Sequence, residues 1–198
     1  MASIGLDYWM INLKDRIGQL DESVIFGNPV SYRHLFTTYK DPTSGSTDLA
    51  ILLKNENLGQ QKTAGIDLDV ALRFKTPVGQ LTSQALLTYL VKNDYQRERN
   101  GAYFSDVGNF NDGAVSFRVL GRWVNSLEYG KWTHSATVNY KSGYGDQFQS
   151  AEDCLISDAN GDCADIRRQV KPYVTMDWQT VYQHNKNLRL TLGVLNFL

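Results

Sequence analysis

The sequence has no long hydrophobic run. No uninterrupted apolar stretch approaches the roughly 18 residues that a transmembrane helix needs, and the mean hydropathy is −0.37. A spanning helix is therefore excluded, but a spanning strand is not, because such a strand needs apolar residues only at every second position. An excess of charge is also missing. The 20 basic and 21 acidic residues give a net charge of −1, so nothing indicates a nucleic-acid partner.

Cysteine is scarce as well. The two cysteines, Cys154 and Cys163, lie close together in a polar stretch, and we predict that they form a disulfide made outside the cytosol. Yet residues 1–9 contain no basic segment followed by an apolar one, as an export signal would. Because these two features conflict within one complete protein, we expect the chain to be a piece of a longer one.

Alternation of apolar and polar side chains is the main pattern, and it is clearest between Ala114 and Tyr144. The apolar positions are Val115, Phe117, Val119, Gly121, Trp123 and Leu127 in the first arm and Trp132, His134, Ala136, Val138 and Tyr140 in the second. The polar turn 128–131 joins the arms, which predicts a β-hairpin. Strands of soluble domains usually have about 5–6 residues and membrane strands about 9–11. The long arms therefore favour a membrane hairpin over a soluble antiparallel sandwich.

The same alternation recurs in five other segments, so we expect about seven strands. The five segments are residues 2–14, 65–74, 81–94, 168–182 and 188–198. Long polar loops (15–46, 97–113 and 145–166) alternate with short turns (75–77, 128–131 and 184–187). Outer-membrane barrels have this asymmetry, with short periplasmic turns and longer extracellular loops. Within the first loop, Asn28 before Pro29 predicts a short helix that runs to about Leu35.

Seven strands do not suffice for a closed membrane barrel. In lipid every backbone polar group must be paired, and bacterial single-chain barrels have even strand numbers. We therefore expect further strands outside this chain and two open edges, at 2–14 and 188–198. Two alternatives stay open. One is a self-contained small outer-membrane barrel with a structural or pore function, which needs an eighth strand within 15–46. The other is a soluble ligand binder of lipocalin type.

Three segments resemble the C-terminal part of TonB-dependent outer-membrane receptors. They are residues 6–17 (LDYWMINLKDRI), residues 57–59 with 63–68 (NLG and TAGIDL), and residues 190–198 (LTLGVLNFL). The resemblance implies an all-β antiparallel meander of about seven long transmembrane strands, an incomplete part of a 22-stranded outer-membrane barrel. Residues 1–198 would then be a partial barrel domain, without the plug domain, the earlier strands and the closing strand.

The resemblance also implies a location and partners. The location is the outer membrane of a Gram-negative bacterium, and the partners are membrane lipid and a small nutrient ligand such as a metal–siderophore complex. The parent receptor is expected to engage TonB through the plug domain, so the chain by itself is not expected to transport anything.

Catalysis, a cofactor and a metal site find little support. His34, His134 and His184 fall in a loop, on a strand and in a tight turn, so no shared site is expected. Residues 158–162 resemble the start of a calcium loop, but Cys163 and Gln169 occupy the places where such a loop needs its glycine and its bidentate glutamate. We therefore expect a solvated turn there and no enzyme.

Ligand contacts are expected in the long loops. Arg97, Arg99, Tyr103 and Phe104 lie in the loop 97–113, where they offer cations and aromatic rings to an anionic or aromatic ligand. Exposed arginine and tyrosine also serve solubility and packing, so these residues are candidates only.

Overall fold

The computed structural model describes residues 1–111, 113–146, 156–157, 159–161 and 168–197. Strands dominate it. They are β1 (Ala2–Gln19), β2 (Phe36–Lys40), β3 (Thr47–Ile51), β4 (Asn55–Thr76), β5 (Gly79–Gln96), β6 (Tyr103–Ser105), β7 (Phe110–Asn111), β8 (Ala114–Val115), β9 (Val119–Tyr129), β10 (Trp132–Lys141), β11 (Tyr144–Gly145), β12 (Gln169–Val170), β13 (Tyr173–Asn185) and β14 (Leu188–Val194). The helix α1 (Glu22–Gly27) and a 3-10 helix (Arg33–Leu35) lie between β1 and β2.

Seven long strands form one sheet in chain order, β1-β4-β5-β9-β10-β13-β14, and the short β6 pairs with β5. The predicted all-β antiparallel meander is thus confirmed. Within the described residues, β1 and β14 end this order and do not pair with each other, so the sheet is not closed. The segment 15–46 supplies β2, but β2 pairs with β3 in a separate two-stranded sheet. It does not provide the closing strand that a self-contained small barrel needs.

The register of the central hairpin follows the alternation in the sequence. Trp132 lies opposite Tyr129, and Val138 lies opposite Trp123. On the other side of β10, Ala136 lies opposite Trp178 of β13. Because side chains alternate between faces along a strand, these pairs put the apolar positions of neighbouring strands on one face. That face is open: the side chains of Trp123 and Trp132 are 51% and 43% exposed.

The short turns join the strands as the sequence predicts. Residues 77–78 link β4 to β5, residues 130–131 link β9 to β10, and residues 186–187 link β13 to β14. Gly130 has φ 59°, in the left-handed region that two-residue hairpin turns require and that glycine adopts without strain. Each of these three turns is therefore much shorter than the connections at the other ends of the strands.

The chain divides into two compact units. The first comprises residues 1–10, 64–92 and 106–198, and the second comprises residues 11–63 and 93–105. In the first unit the face opposite the apolar one carries polar contacts between strands. Thr88 donates to the Asp67 carboxylate at 2.7 Å, and the Asn139 amide donates to the Asp177 carboxylate at 3.1 Å.

The second unit has a small apolar core of its own. Leu20, Ile25, Leu35 and Leu58 are buried together, and Tyr32 packs against them with other half-buried side chains. The predicted long loop 15–46 therefore contains a packed structure, in which burial of Ile25 and Leu35 fixes the two helices.

The helix prediction at Pro29 was wrong in position. The α-helix begins after Asp21, whose carbonyl accepts hydrogen bonds from the Val24 and Ile25 amides. Asn28 is the C-cap of this helix and not the N-cap of a later one. Burial of Ile25 decides the outcome, because a helix over 22–27 places this side chain in the core.

Several strand boundaries also differ from the prediction: β4 begins at Asn55 and not at residue 65, β13 begins at Tyr173 and not at residue 168, and β14 ends at Val194 and not at residue 198. β1 continues to Gln19, past Asp15, whose φ of 54° lies in the left-handed region. One such residue disturbs the alternation, which explains why the regular pattern stops at Lys14 although the strand does not. The first arm of the hairpin begins at Val119, because Ala114–Val115 forms the separate strand β8 with β7.

Cys154 and Cys163 lie outside the described residues, so the disulfide stays a prediction. Of the turn 158–162, the structure describes residues 159–161. Among the described residues, no helix is both long enough and apolar enough to cross a membrane.

Candidate functional site

The connection from β5 to β6 in the second unit is held by the buried side chain of Gln96. Its Oε1 accepts a hydrogen bond from the backbone N–H of Gln60 at 2.9 Å, and its Nε2 donates to the Gly101 carbonyl at 2.7 Å. Gly59 makes room for this contact, since a Cβ there would lie 2.6 Å from the Gln96 Oε1. The loop 97–102 is therefore fixed at both ends by one glutamine side chain.

Arg97 and Phe104, two of the predicted site residues, lie together. The Arg97 guanidinium carbon is 4.3 Å from the centre of the Phe104 ring, which is cation–π geometry. The Arg97 Nε also lies 3.7 Å from the Asp21 carboxylate. Phe104 packs on the buried Tyr95 at 6.2 Å between ring centres. The charge of Arg97 is thus already matched by a carboxylate.

Tyr103 lies in a different environment. Its hydroxyl donates to the Gln60 Oε1 at 3.0 Å, and the Lys62 ammonium lies 4.5 Å from the centre of its ring. Tyr103 is opposite Gln96, and Phe104 is opposite Tyr95. Because adjacent strand residues point to opposite faces, Tyr103 and Phe104 do not share a pocket.

Arg99, the fourth predicted residue, is exposed in the loop. The next two residues shape this loop. Asn100 has φ 62°, and the Gly101 amide donates to the Glu98 carbonyl at 3.1 Å. The predicted set therefore separates into an Arg97–Phe104 pair, Tyr103 on the other face, and an exposed arginine between them in the chain.

A hydrogen bond attaches the first loop to this one. The Tyr32 hydroxyl donates to the Glu98 carboxylate. Burial, this hydrogen bond and the negative charges of Glu98 and Glu56 raise the pKa of Tyr32 to about 12, so the phenol stays neutral at physiological pH. The His34 Nε2 lies 3.7 Å from the Glu56 carboxylate. The loop that carries Arg99 is thus tied to the apolar core of its unit.

The partners of these residues were not predicted from the sequence. Lys62, Gln60 and Tyr32 reach the loop 97–105 only through strand pairing and through the packing of α1. Lys62 precedes the predicted alternating segment 65–74, and nothing in the sequence indicated which aromatic ring it would face. Among the described residues, no group of three metal-ligating side chains occurs.

The fold and the open apolar face define a class, the strands of an outer-membrane β-barrel. The family model described as "TonB dependent receptor-like, beta-barrel" matches residues 2–197. The chain therefore belongs to the TonB-dependent receptor β-barrel family and is located in the outer membrane of a Gram-negative bacterium. The family is one of receptors and transporters.

Solved structures with a similar fold share little sequence with the chain. The siderophore receptor PirA of Acinetobacter baumannii has a TM-score of 0.61 and 14% identity over 99% of this chain and 25% of its own. A mutant of the ferric enterobactin receptor PfeA of Pseudomonas aeruginosa has a TM-score of 0.61 and 18% identity, over 98% of this chain and 23% of its own. The outer membrane transporter YddB of Escherichia coli has a TM-score of 0.58 and 13% identity, over 99% of this chain and 26% of its own. No curated protein matches the sequence significantly. The chain spans about a quarter of the length of these structures.

Proposed function

We propose that the chain is a seven-strand portion of the wall of a larger TonB-dependent receptor, which takes up a scarce nutrient such as a metal–siderophore complex. The observation that carries this proposal is the open order from β1 to β14, because lipid tolerates no unpaired sheet edge. Further strands must pair with both edges, as in a barrel of the size that the similar structures have. Residues 1–198 are then a partial barrel domain and no enzyme.

In this proposal the chain does not transport by itself. Transport needs a plug domain that responds to TonB, and the wall supplies a rigid frame together with part of the ligand site. The long connections, which include the loop 97–105, lie on the extracellular side. A ligand arriving from outside reaches these loops first.

The ligand contacts proposed for this chain lie on the Tyr103 side of the β5–β6 connection. Lys62 faces the neutral Tyr103 ring, whereas Arg97 faces a carboxylate. An anionic or aromatic ligand therefore gains more from Lys62, Tyr103 and the exposed Arg99 than from Arg97 and Phe104, which have the role of packing the loop.

Uptake of radioiron tests the receptor proposal. Cells that carry the intact gene, its deletion, or the gene in a strain without TonB are given ferric complexes of a catecholate and of a hydroxamate siderophore. We expect one complex to be taken up only with both the gene and TonB present. Equal uptake of every complex by all three strains would contradict an iron–siderophore receptor.

A pair of neighbouring substitutions tests the site in the intact receptor. Tyr103→Ala should weaken ligand binding by about fivefold, because a lost ring contact to a cation or aromatic group contributes about 1 kcal/mol. Phe104→Ala is the matched control and should leave affinity within about twofold, provided that the loop stays folded. In a second pair, Arg99→Gln should weaken ligand binding, and Arg97→Gln, its control, should leave affinity within about twofold. The reverse order of effects would place the ligand on the Phe104 face.

A further inference from the structure

A groove opens on the apolar face of the first unit, close to the short turns. Its volume is about 180 Å³, and its walls include Leu81, Leu127, Ala136 and Trp178, with Asn125 and His134 among them. These six side chains belong to the apolar parity of β5, β9, β10 and β13, and Ser135, of the opposite parity, also lines the cavity. We call this cavity the rim groove. It belongs to the surface that faces lipid, so its occupant comes from the membrane.

Aromatic side chains line the rim groove and lie next to it on the side of the turns: His134 and Trp178 line it, and Trp132 and Tyr182 are nearer the turns. The His134 ring is nearly parallel to the Trp132 and Trp178 rings, with centres 6.0 and 6.2 Å away. Its Nδ1 lies 2.8 Å from the Thr180 hydroxyl, which fixes the ring plane. Trp132 also packs on Tyr182 at 4.5 Å. Such rings mark the level of the lipid headgroups, so the groove begins at the interface.

The depth of the rim groove suits an acyl chain. Ala136 is four residues beyond Trp132 on β10. At a rise of about 3.3 Å per residue and a strand tilt of about 40°, it lies about 10 Å below the aromatic rings. A groove that runs from the headgroup level toward the hydrocarbon, with leucine and tryptophan walls, matches the upper part of one lipid tail.

Cations lie where the headgroup of that lipid would be. The turn before Trp132 contains Lys131, whose ammonium donates to the His184 carbonyl at 2.8 Å. The next turn contains Lys186. Neither two-residue turn, 130–131 or 186–187, has an acidic residue, and the acidic residue nearest to them in the sequence is Glu128, three residues before Lys131. The two turns are therefore positively charged, which complements a phosphate group.

We infer that the rim groove binds an anionic phospholipid of the periplasmic leaflet. One acyl chain lies between Leu81, Leu127, Ala136 and Trp178, and the phosphate lies beside Lys131 and Lys186. The bound acyl chain fills the rim groove, which the straight tail of a freely diffusing lipid would leave empty.

Lipid selectivity in vesicles tests the inference. The intact protein from the outer membrane is reconstituted in phosphatidylethanolamine vesicles that contain a trace of spin-labelled phosphatidylglycerol or of spin-labelled phosphatidylethanolamine. We expect slow exchange and a preference for phosphatidylglycerol of about 25-fold, since each of the two lysines contributes about fivefold. The double variant Lys131→Gln with Lys186→Gln should lose most of this preference.

The apolar half of the site is tested separately. Ala136→Trp fills the rim groove and should abolish slow exchange of phosphatidylglycerol. Ala85→Trp, on the same face but outside the groove, is the matched control and should leave exchange unchanged. Lys141→Gln, on the opposite parity, is the control for the lysine variants. Each variant is first checked for folding by its gel mobility before and after heating.

Several results would overturn the inference. They are equal association of the two labelled lipids with the wild type, unchanged preference in the double lysine variant, and unchanged exchange in folded Ala136→Trp. Retention of lipopolysaccharide instead of phosphatidylglycerol, lost on removal of Lys131 and Lys186, would also refute it. If Ala136→Trp does not fold, the lysine variant decides, because it changes only exposed turn residues.

Discussion

Arginine at Val138 tests the assignment of the apolar face to lipid. Val138 lies opposite Trp123 and Met176, six residues beyond Trp132 on β10. At a rise of about 3.3 Å per residue and a tilt of about 40°, it is about 15 Å below the aromatic rings. The apolar band of such a wall is about 25 Å tall, so Val138 is near its middle. An arginine there should destabilise the folded receptor by about 2–4 kcal/mol.

The neighbouring residue supplies the control. Thr137 lies opposite Asp177 and Val124 on the polar face, so an arginine there meets a carboxylate and water. We expect Thr137→Arg to change stability by less than about 1 kcal/mol. Val119→Arg adds a control for depth. Val119 is ten residues before Tyr129 on β9, which brings it close to the far interface, where arginine costs about 0–1 kcal/mol.

Folding in phospholipid vesicles measures these differences. The intact receptor and its variants are titrated with guanidinium chloride, and the folded fraction is followed by Trp fluorescence and by gel mobility before heating. A cost of 2–4 kcal/mol corresponds to a decrease of about 30- to 1,000-fold in the folding equilibrium constant. Equal stability of Val138→Arg and Thr137→Arg would refute the assignment of faces, and with it the lipid-facing position of the rim groove.

Three other predictions follow from the sequence and the packing. Cys154 and Cys163 should be oxidised in protein from the outer membrane, and a mass that reveals free thiols there would contradict the disulfide. The Tyr32–Glu98 hydrogen bond should persist at pH below about 10 and be lost as the pH rises toward about 12, because the pKa of Tyr32 is raised in the folded state. The protection of amides 20–35 against exchange, relative to the intrinsic base-catalysed rate at each pH, should then fall in this pH range in the wild type but not in Tyr32→Phe. Expressed alone, the chain should aggregate or require detergent, since β1 and β14 are unpaired edges; a monodisperse monomer in plain buffer would contradict the barrel-portion proposal.

Most of the sheet could be predicted from alternation alone. β10 occupies the predicted residues, and the register of β9 with β10 puts Trp123 beside Val138 as the parities require. The reason is physical. When one face meets an apolar medium and the other meets water, a shift of one residue exchanges every side chain between them, so the sequence must specify the register strongly.

The second unit could not be predicted in the same way. Its α-helix and the β2–β3 hairpin are stabilised by a core of only four buried side chains, which come from segments as distant as Leu20 and Leu58. Alternation says nothing about such contacts. Asp15 adds a local difficulty, because its left-handed backbone changes the parity of β1 without any glycine to mark the position.

The site was predicted as a region and not as a geometry. A loop with two arginines and two aromatic residues was visible in the sequence, but the separation of Tyr103 from Phe104 depends on β6, a strand of three residues that is too short to show a period. The partners of the loop, Lys62 and Tyr32, come from a long strand and from a turn before the 3-10 helix. Their approach is set by pairing and by packing, which composition does not encode.

Two kinds of surface are left open in this sheet: the apolar side chains of one face and the unpaired backbone of the two edge strands. Apolar side chains are exposed in the interior of the sheet, where Trp123 of β9 is 51% exposed, and also at its edges, where Leu6 of β1 and Leu192 of β14 are 70% and 67% exposed. Lipid covers side chains on a face, but it cannot pair the amides and carbonyls of an edge. The unpaired backbone of β1 and β14 therefore calls for neighbouring strands, while the exposed side chains of the interior strands need only membrane. A soluble lipocalin-type binder would turn its apolar face away from water, whereas in the described residues Trp123 and Trp132 of this face are 51% and 43% exposed.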